Sequence, residues 1–404
     1  MKIDDKTSHN SPSLRFPEFT GEWKEERLSE IADIYKGAGI SKDQLSDNGE
    51  PCILYGELYT KYKTETITEV ISRTDIDNTK LVRSKANDVI IPCSGETAED
   101  IATARCVIKD GILLGGDLNI IRLHNYDGSF VSYQLNGKRK YDIAKVAQGV
   151  SVVHLYGEHL KGVKTVNPCL AEQKKISRFL SLLDERIAVQ SRLIEDLKKF
   201  KCAIVENVLN NRHPRMIRLG DIGSYIRGLT YSSNDVVEQN GTFIMRSNNI
   251  VNGCSLDYYN DVVSVNKRIS KEQMLQNGDI IICMANGCSA LVGKSSFYDG
   301  KCPRSITVGA FCGIYRSEEP IVKWLFQTNR YRRYIWNSLQ GGNGAIANLN
   351  GEDILRMSFP IPDAPVKNNC VKLLTSVDFM IENATSLCVL YTSQKEYLLR
   401  QMFI

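Results

Sequence analysis

An internal repeat constrains this 404-residue chain more than any single motif. Arg27-Leu28-Ser29-Glu30-Ile31, followed by Gly37, recurs as Arg218-Leu219-Gly220-Asp221-Ile222, followed by Gly228, at an offset of 191. Asn87-Asp88-Val89-Ile90-Ile91 recurs as Gly278-Asp279-Ile280-Ile281-Ile282 at the same offset. Lys138-Arg139-Lys140-Tyr141 faces Tyr331-Arg332-Arg333-Tyr334 at 193. His154-Leu155-Tyr156-Gly157-Glu158 matches Asn348-Leu349-Asn350-Gly351-Glu352 at 194, as Pro168 matches Pro362. Short loop insertions produce such a drift, and five blocks in constant order exclude chance. The period is too long for a solenoid and fits two copies of a whole domain.

Each copy ends in a segment patterned for a long helix. Ala171 to Asn210 contains no proline or glycine. Its apolar residues recur at three-four spacing: Ile176, Leu180, Leu183, Ile187, Ile194, Leu197, Ile204 and Val208, with Gln190 and Lys201 in two of the slots. Shifted by 194, the series becomes Cys370, Leu374, Val377, Ile381, Ala384, Cys388, Tyr391, Lys395, Leu398 and Met402. A heptad pattern sustained this long predicts a coiled coil. Forty residues give ~60 Å of helix at 1.5 Å per residue, beyond the usual globular length. The two stripes bury most simply against each other, as an antiparallel pair; the alternative is that each packs on its own domain. Lys201 and Lys395 hold equivalent core slots, where a lysine can fix register, face a partner protein or snorkel to solvent.

Between the helices, segments 31–165 and 222–359 carry short apolar runs broken by Gly, Asn and Asp, the pattern of short strands joined by turns. The expected fold class is therefore α+β: two tandem domains of short strands and helices, each followed by a long helix. The expected boundaries are a tail at 1–11, domains at 12–168 and 213–362, and helices at 169–212 and 363–404.

Composition narrows the function. With 42% hydrophobic and 24% charged residues the chain reads as a folded soluble protein. Met1 to Asn10 is polar, without the apolar core of a signal peptide, and no apolar run approaches the ~20 residues that cross a bilayer. A cytoplasmic protein with no membrane partner is expected. The twelve cysteines form no Cys-x-x-Cys pair; even Cys283 and Cys288 stand apart with no histidine near them. Such thiols read as small buried hydrophobes rather than metal ligands. The five histidines form no cluster, and of His154 and His159 only the first has a counterpart, Asn348. The net charge of +4 hides an asymmetry: residues 12–168 carry 20 basic against 23 acidic side chains, and residues 213–362 carry 16 against 12. Any nucleic-acid footprint is local or shared with partners.

Two enzymatic readings fail on spacing. Gly287 to Ser295 imitates a phosphate-binding loop, but five residues separate Gly287 from Gly293 where that motif needs four, and the stretch around Ile101-Ala104 has no counterpart. Asn167-Pro168-Cys169-Leu170 lacks the second proline and the aromatic of an adenine methyltransferase loop, and no suitable Gly-rich loop precedes it. No catalytic and no metal-binding residue is expected.

A duplicated α+β domain with a long heptad helix after each copy resembles the specificity subunit of type I restriction-modification enzymes. Leu14-Arg15-Phe16-Pro17-Glu18-Phe19 with Trp23 looks like that family's entry into its first target-recognition domain. Asn167-Pro168-Cys169-Leu170-Ala171-Glu172-Gln173-Lys174-Lys175-Ile176 resembles its junction into the conserved helix, continued by Leu183-Asp184-Glu185-Arg186-Ile187, and Leu398-Leu399-Arg400-Gln401-Met402-Phe403 its C-terminal close. The second junction, Pro362 to Cys370, lacks the Glu-Gln pair. The resemblance implies a non-catalytic subunit that binds double-stranded DNA, two methyltransferase subunits and restriction-translocation subunits. S-adenosylmethionine, ATP and magnesium would then belong to those partners and no cofactor to this chain. Each domain would read one part of a bipartite target, and the helices would set the gap. Readers on one face of B-DNA stand ~34 Å or a multiple apart. A protein-assembly scaffold without DNA recognition is the competing reading.

Guanine is read by Arg or Lys and adenine by Asn or Gln. In the second half Arg246, Asn248 and Asn249 follow the apolar run Phe243-Met245, although Asn is also a common turn residue. In the first half Tyr59, Lys61, Tyr62 and Lys63 interleave aromatic and basic side chains. Lys138, Arg139 and Lys140, with Arg330, Arg332 and Arg333 at the equivalent place, suit phosphate contact or a solvated helix face. Arg227, Lys294 and Arg304 complete the DNA candidates. The coiled-coil and subunit-docking positions are Ile176, Leu180, Leu183, Ile187, Ile194, Leu197, Leu374, Val377, Ile381, Tyr391 and Leu398.

Overall fold

Apolar runs this short give short strands, and in a computed structural model none exceeds six residues (Leu118–Leu123) among the described residues. The structure describes residues 11–77, 79–149, 152–209, 215–339 and 347–404; most of the expected tail, and Asn210, lie outside them. Strand Asp88–Pro92 is buried along its whole length and lies between Leu118–Leu123 and Arg105–Val107, both antiparallel to it. An uninterrupted apolar run is what a strand covered on both faces requires. Ala32–Lys36 extends this sheet beyond Leu118–Leu123. In the second half Ile280–Cys283 lies between Cys312–Arg316 and Ser295–Phe297, and Ser224–Arg227 extends the sheet beyond Cys312–Arg316.

The second sheet is duplicated too. Glu50–Ile53 runs antiparallel to Ser72–Thr74 and parallel to Leu113–Leu114. Thr242–Met245 likewise runs antiparallel to Val263–Val265 and parallel to Ile306–Val308. Each half closes by pairing its first strand with its last: Lys24–Arg27 with Lys164–Asn167, and Arg215–Arg218 with Ser358–Ile361. The sequence repeat is therefore a repeat of topology.

Helices Leu170–Leu209 and Ala364–Gln401 follow the two halves. The chain divides into two compact units, residues 1–192 with 385–404, and residues 193–384, so each unit holds part of both helices. In the first unit the helices run antiparallel: Arg186 donates to the Tyr391 hydroxyl at 3.4 Å, and Ser191 faces Cys388. In the second, Leu197 packs with Val377 and Ile381. Ile176 and Leu180 enter the core around Trp23 and Phe130, joined there by Leu398, Met402 and Phe403. Val205 and Leu374 enter the core around Trp324 and Phe326. Leu183, Ile187 and Ile194 are half-buried, as is Tyr391.

One expectation from composition needs correcting. Helix Ala364–Gln401 contains an 18-residue stretch apolar enough, by length and average hydropathy, to cross a membrane. Small and weakly polar residues between its larger side chains hide this from a search for an unbroken apolar run. Its heptad positions Leu374, Val377, Ile381, Ala384 and Leu398 are buried within the fold, while Phe379, Met380, Val389 and Leu390 remain exposed.

Candidate nucleic-acid interface

The turn after the first strand of the second sheet shows how each half presents polar side chains. In the second half the Arg246 amide donates to Asn249 Oδ1 at 2.8 Å, and Asn249 Nδ2 donates to the Asn260 carbonyl at 2.8 Å. In the first half the Leu54 amide donates to Glu57 Oε2 at 2.9 Å. Glu57 and Asn249 thus close equivalent turns, and both are buried. Asn249 is a turn residue with both ends of its amide engaged and does not reach outward, so its expected base contact is withdrawn. A side-chain cap on local backbone is the common use of Asn in turns.

Other candidates are engaged as well. The Arg246 guanidinium donates to the Asp261 carbonyl at 2.8 Å, and exposed Asn248 donates to Asp261 Oδ2 at 3.2 Å. Lys61 pairs with Glu57 at 2.5 Å and donates to Ser72 at 2.8 Å. Tyr62 is buried, its backbone carbonyl accepts from the buried Arg105 at 3.1 Å, and burial pushes its hydroxyl up to about 12. Tyr62 is a core residue, and its expected DNA contact is withdrawn. Tyr59, half-buried, lines a cleft of about 880 Å³ together with Tyr55, Ser41, Gln44 and Lys61. Lys63 is exposed.

The remaining basic residues divide by exposure. Arg227, Arg304, Arg332, Arg333 and Lys138 are exposed; Arg139, Lys140, Lys294 and Arg330 are half-buried. Arg304 stacks 5.1 Å from the Phe243 ring centroid, beside the strand that leads to Arg246. Arg330 donates to the Ser358 carbonyl at 2.8 Å, and Arg139 approaches Asp142 at 3.5 Å. Lys294 is followed by a strand, Ser295–Phe297, where a phosphate-binding loop needs a helix, so the spacing argument against nucleotide binding gains a structural one.

Several structural residues escaped sequence reading because their partners are distant in the chain. Arg122 grips the buried Asp88 through its Nε and Nη2, at 3.0 and 2.8 Å. Arg316 grips Asp279 at 2.8 and 2.7 Å in the equivalent place. Each aspartate also caps its own turn, accepting from Lys85 and Gln276 amides. Buried Glu172 takes two bonds of 2.7 Å from Arg15, and Gln173 accepts the Asp127 amide at 2.9 Å. The Arg15 pair ties the Leu14–Phe19 opening to the Glu-Gln junction, and Gln173 ties that junction to the turn at Asp127. In the second copy the equivalent positions are Val366, exposed, and Lys367, which pairs with Glu319 at 2.8 Å.

Comparisons with known proteins agree with this frame. Residues 20–199 match the family model described as the type I restriction modification DNA specificity domain. The chain is 32% identical over 149 residues to the type I restriction enzyme EcoKI specificity subunit of Escherichia coli K12, covering 35% of this chain and 31% of that one. It therefore spans about a third of the length of the first curated relatives it matches. The MjaVIII specificity subunit of Methanocaldococcus jannaschii is 21% identical over 402 residues, covering 91% of this chain and 88% of that protein. The crystal structure of a type I restriction-modification S subunit from M. genitalium superposes with a TM-score of 0.65 at 16% identity, covering 98% and 99% of the two chains. That likeness shows a shared fold.

Proposed function

We propose, from the premise that this chain belongs to the type I restriction-modification specificity subunits, that it reads a bipartite DNA sequence, one part with each half. It catalyses nothing itself: methyl transfer and ATP-driven restriction reside on cytoplasmic partner subunits, with their S-adenosylmethionine, ATP and magnesium. Two methyltransferase subunits dock on the long helices, where Phe379, Met380, Val389 and Leu390 leave apolar surface exposed. The helix pair also sets the spacer between half-sites.

The observation that carries this reading is one frame bearing two different surfaces. The turns closed by Glu57 and Asn249 are equivalent, yet the first carries Tyr55 and Gly56 where the second carries Ser247 and Asn248, and Tyr59 stands where the second has Val251. Equal frames with unequal reading faces suit an asymmetric target. Asn248 is the strongest remaining base-reading candidate in the second half, and Tyr59 and Lys63 are the candidates in the first. Arg227, Arg304, Arg332, Arg333, Lys138 and Lys140 serve the phosphates, which position the protein without specifying sequence.

Mapping methylated adenine across the genome with and without this gene tests the proposal. A split, asymmetric motif that loses methylation when the gene is removed is the expected result. Exchanging residues 12–168 for those of a relative should change one half of that motif only. A complex that assembles with its methyltransferase yet binds all duplexes equally would overturn the reading.

A further inference from the structure

Helix Asn329–Leu339 carries a side chain that the phosphate contacts above leave unexplained. Its inner face, Tyr331 and Ile335, is buried, and the Tyr331 hydroxyl donates to the Gly293 carbonyl at 2.7 Å. Its outer face turns Arg332, Arg333 and Trp336 to solvent, with Trp336 67% exposed. Residues three and four apart on a helix are neighbours, so the indole and the two guanidinium groups form one patch. The helix contains no Asp or Glu, and neither arginine is ion-paired to a described residue. The equivalent segment of the first half differs: on helix Lys140–Val146, Tyr141 (the counterpart of Tyr334) is exposed with Lys145 4.4 Å over its ring, while Ile143 stands at the Trp336 position and is buried.

A large aromatic ring held in water beside unneutralised cations is complementary to a polyanion that also offers flat apolar surfaces. Nucleic acid has both, phosphates for the cations and sugars and bases for the ring. We propose that Trp336 contacts duplex DNA, its indole packing on a sugar or base step while Arg332 and Arg333 neutralise the adjoining phosphates. This inference rests on the DNA-reading function proposed above. Ring packing and phosphate neutralisation carry no base identity, so the contact has a positioning role rather than base reading.

The three tryptophans make the contact measurable. Trp23 is 0% and Trp324 3% exposed, so fluorescence of the full chain that acrylamide can quench comes from Trp336. Quenching is followed with and without a random-sequence duplex of about three helical turns, while binding is read separately from the anisotropy of a labelled strand. Saturating duplex should reduce quenching to the level of the two buried indoles, and Trp336→Phe should abolish that change. Trp336→Ala should weaken binding roughly fivefold or more with an unchanged salt slope, while Trp336→Phe retains most of the affinity. Arg332→Gln with Arg333→Gln should instead flatten the salt slope by about two. Duplex bound with Trp336 quenching unchanged overturns the contact and leaves the DNA-reading function standing. Absence of binding to any duplex overturns both. Normal duplex binding by Trp336→Ala, with loss of co-purification with the methyltransferase subunit, overturns the contact and assigns this face to protein.

Discussion

Lys395, on the second long helix, places its ammonium 2.6 Å from the Asp184 carboxylate on the first. Their sequence equivalents make the same pair in the other unit, Lys201 standing 3.1 Å from Asp378. Two lysines in apolar heptad slots are therefore register pins, each answering an aspartate on the opposite helix. The surroundings differ. Asp184 also accepts the Tyr133 hydroxyl at 2.6 Å, and Lys395 reaches Glu65 at 2.6 Å. Asp378 accepts from the Trp324 indole at 3.1 Å and from Lys323 at 2.8 Å. Burial disfavours the charge on Lys395, but Glu65 and Asp184 overcome it and hold the ammonium above its ordinary range. Burial likewise raises the Asp184 carboxyl, against the pull of Lys395.

Removing one partner of a buried ion pair costs about 3–5 kcal/mol, because the other charge stays buried and uncompensated. Lys395→Met removes the cation from both Asp184 and Glu65, leaving Asp184 the neutral Tyr133 hydroxyl, whereas Lys201→Met leaves Asp378 with the Lys323 cation and Trp324. Urea unfolding of the full chain should show the larger loss for Lys395→Met, near the top of that range. Equal losses for the two variants would contradict the asymmetry described.

Arg15 and Glu172 make the analogous prediction for the chain's opening. Glu172 is buried, and Arg15 supplies both of its charge-assisted bonds. Arg15→Ala should destabilise the first unit by about 3 kcal/mol and expose the Leu14–Phe19 segment to limited proteolysis. Glu172→Gln, which keeps an acceptor and removes the buried charge, should cost less. Equal proteolysis of the wild-type and Arg15→Ala chains would show that the pair does not hold the segment.

The frame was legible because repetition and periodicity are local and redundant. Five blocks in order announced two equivalent halves, and a run without Pro or Gly announced each long helix. The interface was less legible because one polar residue serves turns and DNA equally well. Asn249 and Tyr62 carry the right chemistry for contact, yet the first caps a turn and the second fills a core. Asp88–Arg122 and Asp279–Arg316 join residues more than thirty positions apart, with nothing in the local sequence to couple them. Nothing local marks Trp336 as outward-facing, because helical periodicity alone does not say which face is inward.

The repeat itself supplies a backbone test. Gly278 has a φ of 91°, and Asn87, at the equivalent turn, has a φ of 80°. This left-handed region is costly for most side chains and least so for Asn and Asp. A Cβ added at Gly278 meets no atom within 4 Å, so conformational strain alone opposes substitution. Gly278→Ala should destabilise the second unit by about 1 kcal/mol, and Gly278→Asn by clearly less. Thermal unfolding of the two variants compares them; a more damaging asparagine would refute the equivalence of the turns.

The cysteines give a prediction in which pH has a definite sign. Burial is the principal cause that pushes the Cys52 and Cys93 thiols up to about 11 and the Cys106 thiol up to about 12. Cys169, Cys202 and Cys288 are exposed. Alkylation requires the thiolate, whose population falls tenfold for each pH unit below the pKa, so at pH 8 a thiol with a pKa near 11 is roughly one part in a thousand ionised. Iodoacetamide on the native chain should label the three exposed cysteines first. Raising the pH from 7 to 9 should leave Cys52, Cys93 and Cys106 protected until the chain unfolds. Mass spectrometry of digested samples resolves each site. Early labelling of Cys106 in the native chain would contradict its burial beneath Gly128, where a Cβ would lie 2.8 Å from its Sγ.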